Sequence, residues 1–153
     1  MAQIIKSIND LNKILELRIE QALKMTQNEI FKVFQKYITE YYKEPVFRDG
    51  TSAIPMMYKR TYKLLNSLIK TDIIKNGNVL SCTVEIDPNY LNYEYMGGMS
   101  GLDVMLSAEQ AFHGWSVEGD MRIWSDSLAE LGLEHGIKYL MKSNLKKCGV
   151  PIK

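Results

Sequence analysis

No proline or glycine interrupts the chain between Met1 and Glu44. A stretch that long without either residue can be one continuous helix, and its apolar residues are spaced for one. Leu11, Ile14, Leu15, Ile19, Ala22 and Leu23 are followed by Ile30, Val33, Phe34, Tyr37, Ile38 and Tyr41. Steps of three and four place them on one stripe of a 3.6-residue helix. Ser7 with Asp10 three residues on marks the start. Pro45 marks the stop, because the residue before a proline resists helical backbone. A helix of about 30 residues is roughly 45 Å long, longer than a small domain needs to cover its own sheet. The overhang is free to meet another subunit.

With 153 residues the chain is long enough for one core and too short for two. Hydrophobic residues make up 46% and charged residues 24%, which is globular usage rather than that of a disordered chain. Nineteen basic and 18 acidic residues leave a net charge of +1, too little to hold a polyanion by long-range field. The chain is therefore expected to bind no specific nucleic acid. No apolar run reaches the ~18 residues of a membrane span, and residues 1–12 have no signal-peptide pattern. No membrane partner is expected. Cys82 and Cys148 have no pairing spacing and read as reduced thiols of a cytosol-type compartment.

Beyond Pro45 the stretch to Pro55 reads as a loop, carrying Asp49, Gly50, Thr51 and Ser52. Residues 55–95 hold a lead-in from Tyr58 and a β-hairpin. The first strand runs around Leu68 to Ile74, Asn76-Gly77 makes the turn, and the second strand alternates. Leu80, Cys82, Val84 and Ile86 face one way, and Val79, Ser81, Thr83 and Glu85 the other. Another strand is placed near Tyr90 to Tyr95. Residues 96–119 form a glycine-rich excursion, with Gly97, Gly98, Gly101, Gly114 and Gly119 inside 23 residues. Within it Leu102, Val104, Met105, Ala108, Ala111 and Phe112 fit a short amphipathic helix. Excursions of that length are usually functional or mobile. Residues 120–150 are helical, with Trp124, Leu128 and Leu131 on one stripe and a bend at Gly132. Ile137, Leu140, Met141 and Leu145 continue it to Lys146-Lys147, before Gly149 and Pro151. The expected fold is a single α+β domain. A long N-terminal helix and a C-terminal helix pack on a small antiparallel sheet, with an inserted, glycine-flanked loop-helix-loop.

A search for chemistry returns no catalytic, cofactor or metal motif. His113 and His135 are 22 residues apart and lack the companion ligands of a zinc site. His113, between Phe112 and Trp115, reads as a loop or interface residue, and His135 as a surface position. Asp120, Asp126 and Glu130 read as a solvated acidic face. Gly97-Gly98-x-x-Gly101 lacks the Lys-Ser/Thr ending of a phosphate loop, Cys82 reads as core, and no serine lies in a nucleophile elbow. Lys59, Arg60 and Lys63 interleave with Tyr58 and Tyr62 as single-strand binders do, but three charges make a small footprint.

From Pro55, the residues Tyr58, Arg60, Thr61, Leu64, Ser67 and Leu68 fall in the order Pro-x-x-Tyr-x-Arg-Thr-x-x-Leu-x-x-Ser-Leu. That order resembles the tail-completion, or head-tail connector, family of long-tailed phages and prophages (Hong Kong phage gene-ten-like tail components). The family order of a long helix, this segment, a hairpin, a tyrosine-rich stretch into a loop and a last helix is matched over almost the whole chain. Tyr62 departs from it, standing where the family usually has glycine, and Met121 to Trp124 replaces the family's Pro-Phe-Leu-x-Pro run. The resemblance implies a non-enzymatic virion component of the neck or tail end, assembled in the bacterial cytoplasm. It implies a homo-oligomeric ring, commonly a hexamer, between the tail tube protein and a stopper or adaptor ring. In that reading Tyr58, Arg60, Thr61, Leu64 and Ser67 organise the lead-in to the sheet. Gly97, Gly98, Gly101, Phe112, His113 and Trp115 belong to a loop that reaches a neighbour. The rival reading of the same features is a small phage-encoded regulator or inhibitor that binds a host protein.

Overall fold

Ser7 opens the first helix as its spacing predicts: its hydroxyl accepts a hydrogen bond from the Asp10 backbone N–H at 3.1 Å. From there α1 runs unbroken over Ile8–Tyr41, 34 residues and about 51 Å. The computed structural model describes residues 7–43, 62–91, 100–109, 112–113, 117–118 and 122–152. After α1 come α2 (Lys63–Ser67) and four short strands: β1 (Leu68–Lys70), β2 (Ile74–Asn76), β3 (Val79–Ser81) and β4 (Val84–Ile86). A 3₁₀ turn (Pro88–Leu91) precedes α3 (Gly101–Glu109), β5 (Phe112–His113) and β6 (Val117–Glu118). The chain closes with α4 (Ile123–Glu130) and α5 (Leu133–Lys147). The class is α+β, as expected.

The hairpin is one antiparallel ribbon with a fault in its middle. β2 and β3 pair Ile74 with Ser81 and Asn76 with Val79, while β1 and β4 pair Leu68 with Ile86 and Lys70 with Val84. Three residues (71–73) on the first arm face two (82–83) on the second. The extra residue is a β-bulge, and it splits the strand expected over 68–74 into two pieces. The bulge leaves the second arm's alternation intact. Leu80, Cys82, Val84 and Ile86 are half-buried on one face, and Val79, Ser81, Thr83 and Glu85 are exposed on the other. The turn sits one residue later than the sequence suggests. Asn76 still pairs with Val79, so Gly77-Asn78 is the two-residue loop. Gly77, at φ 60°, takes the positive-φ first position of a II′-type turn.

Other expectations need correction. Tyr90 and Leu91 lie in the 3₁₀ turn and not in a strand, with residues 92–95 outside those described. Phe112 belongs to β5, which pairs with β6, and not to the preceding helix. In α4 the buried residues are Ile123 and Ser127, whereas Leu128 is exposed. Ser127 fits there because its hydroxyl donates back to the Ile123 carbonyl. The bend at Gly132 is present: Gly132 has φ 73° and Leu133 φ 54°. At Gly136 an added Cβ would lie 1.8 Å from the Leu131 carbonyl oxygen, so only glycine lets α5 leave the corner this tightly.

The core gathers at one end. Ile38, Tyr41, Leu64, Leu68, Leu91 and Ile123 are buried together. Each such side chain contributes roughly 1.5–3 kcal/mol by leaving water. Phe34 and Trp124 seal α1 to α4 with ring centroids 5.4 Å apart. α3 is also part of this end. Met105 packs on the core, and the Glu109 carboxylate accepts the Trp124 backbone N–H at 2.9 Å and the Ser125 hydroxyl, capping α4. The described part of the glycine-flanked excursion is thus anchored to its own domain.

Candidate functional site

α1 is flanked on one side by the hairpin and on the other by α4 and α5, of which α5 runs antiparallel to it. Phe31 lies under the Lys70 ammonium (4.8 Å to the ring centroid), and Glu16 pairs with Lys75, so the hairpin tip points toward the N-terminus of α1. On the other flank Lys36 pairs with Glu130, and the Arg18 guanidinium donates to the Gly149 carbonyl at 2.8 Å.

Two buried polar knots hold these flanks. The Gln27 amide nitrogen donates to the Thr71 and Thr83 carbonyls, 2.8 Å each. Those carbonyls belong to the residues that face each other across the bulge, so one side chain satisfies the acceptors that the ladder fault exposes. The Thr83 backbone N–H goes to the Thr71 hydroxyl at 2.8 Å. On the opposite flank Asn144, wholly buried in α5, donates to the Thr26 hydroxyl at 3.1 Å and accepts from Lys147 at 3.1 Å. Thr26 in turn donates to the Ala22 carbonyl at 2.9 Å. Among the described residues no buried side-chain nitrogen or oxygen lacks a partner.

Between the two flanks the inward stripe of α1 is left open. Leu15, Ile19, Leu23 and Ile30 form the floor of a groove. Leu80, Cys82 and Val84 make the hairpin wall, and Ile137 and Met141 the α5 wall. Two adjoining pockets of about 360 and 380 Å³ occupy it, sharing Leu23 and Met141. All nine side chains are half-buried rather than buried. The groove's polar rim is Asn12, Asn78 and the Glu16–Lys75 pair. The groove is apolar, elongated and rimmed by polar groups, a character that suits contact with another surface. Burial pushes the Cys82 thiol up, away from the thiolate a nucleophile needs.

The residues singled out as site candidates in the sequence do not line this groove where they are described. Tyr58, Arg60, Thr61, Gly97, Gly98 and Trp115 lie outside the described residues. Leu64 and Ser67 are buried in the closed end. The Ser67 hydroxyl donates to the Leu64 carbonyl at 2.7 Å, and the Ser67 carbonyl accepts the Asp87 N–H at 2.7 Å. Gly101 is the buried first residue of α3. Phe112 and His113 form β5, across from Val117–Glu118. The structure does not bring the described ones among these residues to the groove. His135 is exposed. Asp126 accepts the Arg122 backbone N–H at 2.7 Å, and Glu130 joins Lys36 and Tyr37. These acidic residues therefore have structural partners on the surface. Among the described residues no group of histidine, cysteine and carboxylate side chains could hold a metal ion, and no helix is long and apolar enough to cross a membrane.

Gln27, Thr26 and Asn144 escaped the sequence reading because a search for apolar periodicity passes over polar residues. Their signal was positional: each lies on the inward arc of its helix. Comparison with family models, with curated proteins and with solved structures finds no match for this chain.

Proposed function

We propose that this chain is an assembly component, a tail-completion or neck protein of a tailed phage or prophage. It would form a ring that joins the tail tube to the head-side connector. The observation that carries the assembly role is the groove. Nine apolar side chains on three elements converge on a surface that the described residues leave uncovered, and apolar surface of that extent is stabilised by docking onto another chain. A ring needs a heterologous contact, in which one face fits a different face of the next copy. The groove on one copy would take a different surface of the next.

The narrower family reading draws support from Tyr62. This residue precedes α2 with φ 55° and ψ 20°, the left-handed region, and it is one of two non-glycine residues described with positive φ. The position is the one where the family usually has glycine, the residue for which that backbone costs nothing. Tyr42 stacks on the Tyr62 ring at 4.9 Å between centroids, a contact that offsets the strain.

The test is the oligomeric state of the purified chain, by size-exclusion chromatography with light scattering and by electron microscopy of stained particles. Rings are expected from the wild type. Leu80→Gln, on the half-buried groove wall, is expected to fold with an unchanged circular dichroism spectrum and to assemble at least tenfold more weakly. A wild-type chain that stays monomeric at all concentrations and captures one host protein would favour the regulator reading instead.

A further inference from the structure

The near-zero net charge conceals a strong separation along the chain. Between Asn76 and Ile137 there are ten acidic residues and one basic, Arg122. From Lys138 to Lys153 there are five lysines and no acidic residue. Among the described residues the blocks meet only where Lys138 pairs with Glu134 at the start of α5; the rest of each lies at its own end. Asp103 on α3, Asp126 and Glu130 on α4, and Glu134 at the start of α5 lie at the closed end, where Glu130 meets Lys36 of α1. Lys142, Lys146 and Lys147 lie on the far end of α5, which reaches the level of Arg18 through Gly149. Lys142 and Lys146 lie about 12 and 18 Å along α5 from Glu134 at 1.5 Å per residue. Both distances exceed the ~8 Å screening length of physiological salt, so these lysines are largely screened from the acidic end.

The outward face of α5 is the sharper of the two. Lys138, Lys142 and Lys146 recur every fourth residue, about 6 Å apart along the helix, with Tyr139 beside them at 76% exposure. Lys138 is held by Glu134. Among the described residues no carboxylate pairs with Lys142 or Lys146. At the acidic end Asp103 and Asp126 bond only to neutral groups, the former to Ser100 and the latter to a backbone N–H. Unmatched cations and unmatched anions thus sit at opposite ends of one molecule.

We propose that the Lys142–Lys146 face of α5 docks on the acidic α3–α4 end of a second copy of this chain, head to tail. The inference rests on the assembly reading above and names the surfaces that meet. Repeated head to tail, such a contact closes into a ring or extends into a filament. Like ends repel, which disfavours joining basic to basic or acidic to acidic.

Two charge-reversed chains test this. Lys142→Glu with Lys146→Glu removes the basic face; Glu130→Lys with Glu134→Lys removes part of the acidic one. All four positions are exposed, so both proteins should unfold cooperatively close to the wild-type midpoint. Sedimentation velocity is expected to show wild-type assembly that weakens at least tenfold between low and high salt. Each reversed chain alone should be monomeric. Mixed, they should form a one-to-one complex, because each retains the end that the other lacks. If both reversed chains assemble as the wild type does, the pairing of ends is wrong while the assembly reading stands. If the wild type itself never assembles, both fall. If lysine reversal abolishes retention on single-stranded DNA and leaves self-association untouched, the face serves nucleic acid and this docking is overturned.

Discussion

From Phe31 to Tyr41 the inward stripe of α1 is enclosed, whereas from Leu15 to Ile30 a stripe of similar composition floors an open groove. The difference lies in what the rest of the chain supplies. At the closed end α2, the 3₁₀ turn, α3 and α4 all converge, and Leu64, Leu68, Leu91 and Ile123 fill the space over Ile38. Among the described residues only the hairpin and α5 arrive at the open end, one on each flank, and each is held by a buried polar knot rather than by a filled core. Apolar periodicity alone therefore says which face of a helix is inward. It does not say whether the chain itself provides the cover.

The largest effect expected follows from that contrast. Ile123→Ala empties a fully buried position and should cost about 3 kcal/mol, transfer and cavity together. Leu80→Ala removes a half-buried side chain from a groove wall and should cost about 1 kcal/mol. Urea unfolding of both, at a concentration where the chain is monomeric, measures the gap. Equal losses would mean that the groove is covered in the free chain, and the distinction between the two ends would disappear. At assembling concentrations Leu80→Ala should lose more than at monomeric ones, and Ile123→Ala should not.

Gln27 carries the next effect. Its two donors match the two carbonyls at the bulge, and Gln27→Ala leaves both without that partner on the groove floor, with Thr83 still accepting the Thr71 N–H. The cost expected is about 2 kcal/mol. It should be local, with faster amide hydrogen exchange in β2 and β3 and little change in α4. Uniform acceleration would show that the hairpin and the closed core open together. The bulge also decides what the groove contains. Without the extra residue the first arm would pair in a single register, and its face pattern past Thr71 would be inverted relative to the second arm.

Much of this fold was legible in the sequence, and the omissions have definite causes. Ser7 and Asp10 fixed the start of α1 because a cap is a local interaction. Gly77 announced the hairpin because positive φ is a local demand. The bulge was invisible: Thr71, Asp72 and Ile73 include neither glycine nor proline, and the site is stabilised by Gln27 44 residues away. Ser127 was passed over for Leu128 because hydrophobicity outranked phase in choosing the stripe. The groove was partly legible, since most of its lining residues belong to the stripes read from α1, the second hairpin arm and α5. That these stripes meet and stay open depends on the crossing of three elements, which no single stretch encodes. The charge separation could have been read at once, but the whole-chain total hides it.

The smallest effect distinguishes the two ends by pH. At the closed end the Lys36 ammonium, and then the Tyr37 hydroxyl, hold the Glu130 carboxyl below its ordinary range. Asp103 is likewise held low by the Ser100 backbone N–H and then by its hydroxyl. A carboxylate whose folded pKa is depressed binds protons less readily folded than unfolded. Its stabilisation is therefore complete above the unfolded value near 4 and is lost as pH falls through the depressed one. Stability of the wild type should decline below about pH 4, and Glu130→Gln with Asp103→Asn should flatten part of that slope while lowering stability slightly at neutral pH. Both groups are exposed, so molar salt should shrink the Glu130 contribution, which depends on a counter-charge, more than that of Asp103, which depends on neutral donors. An acid slope that is the same in the double variant as in the wild type would assign it to other carboxylates, and the closed end would then owe its stability to packing alone.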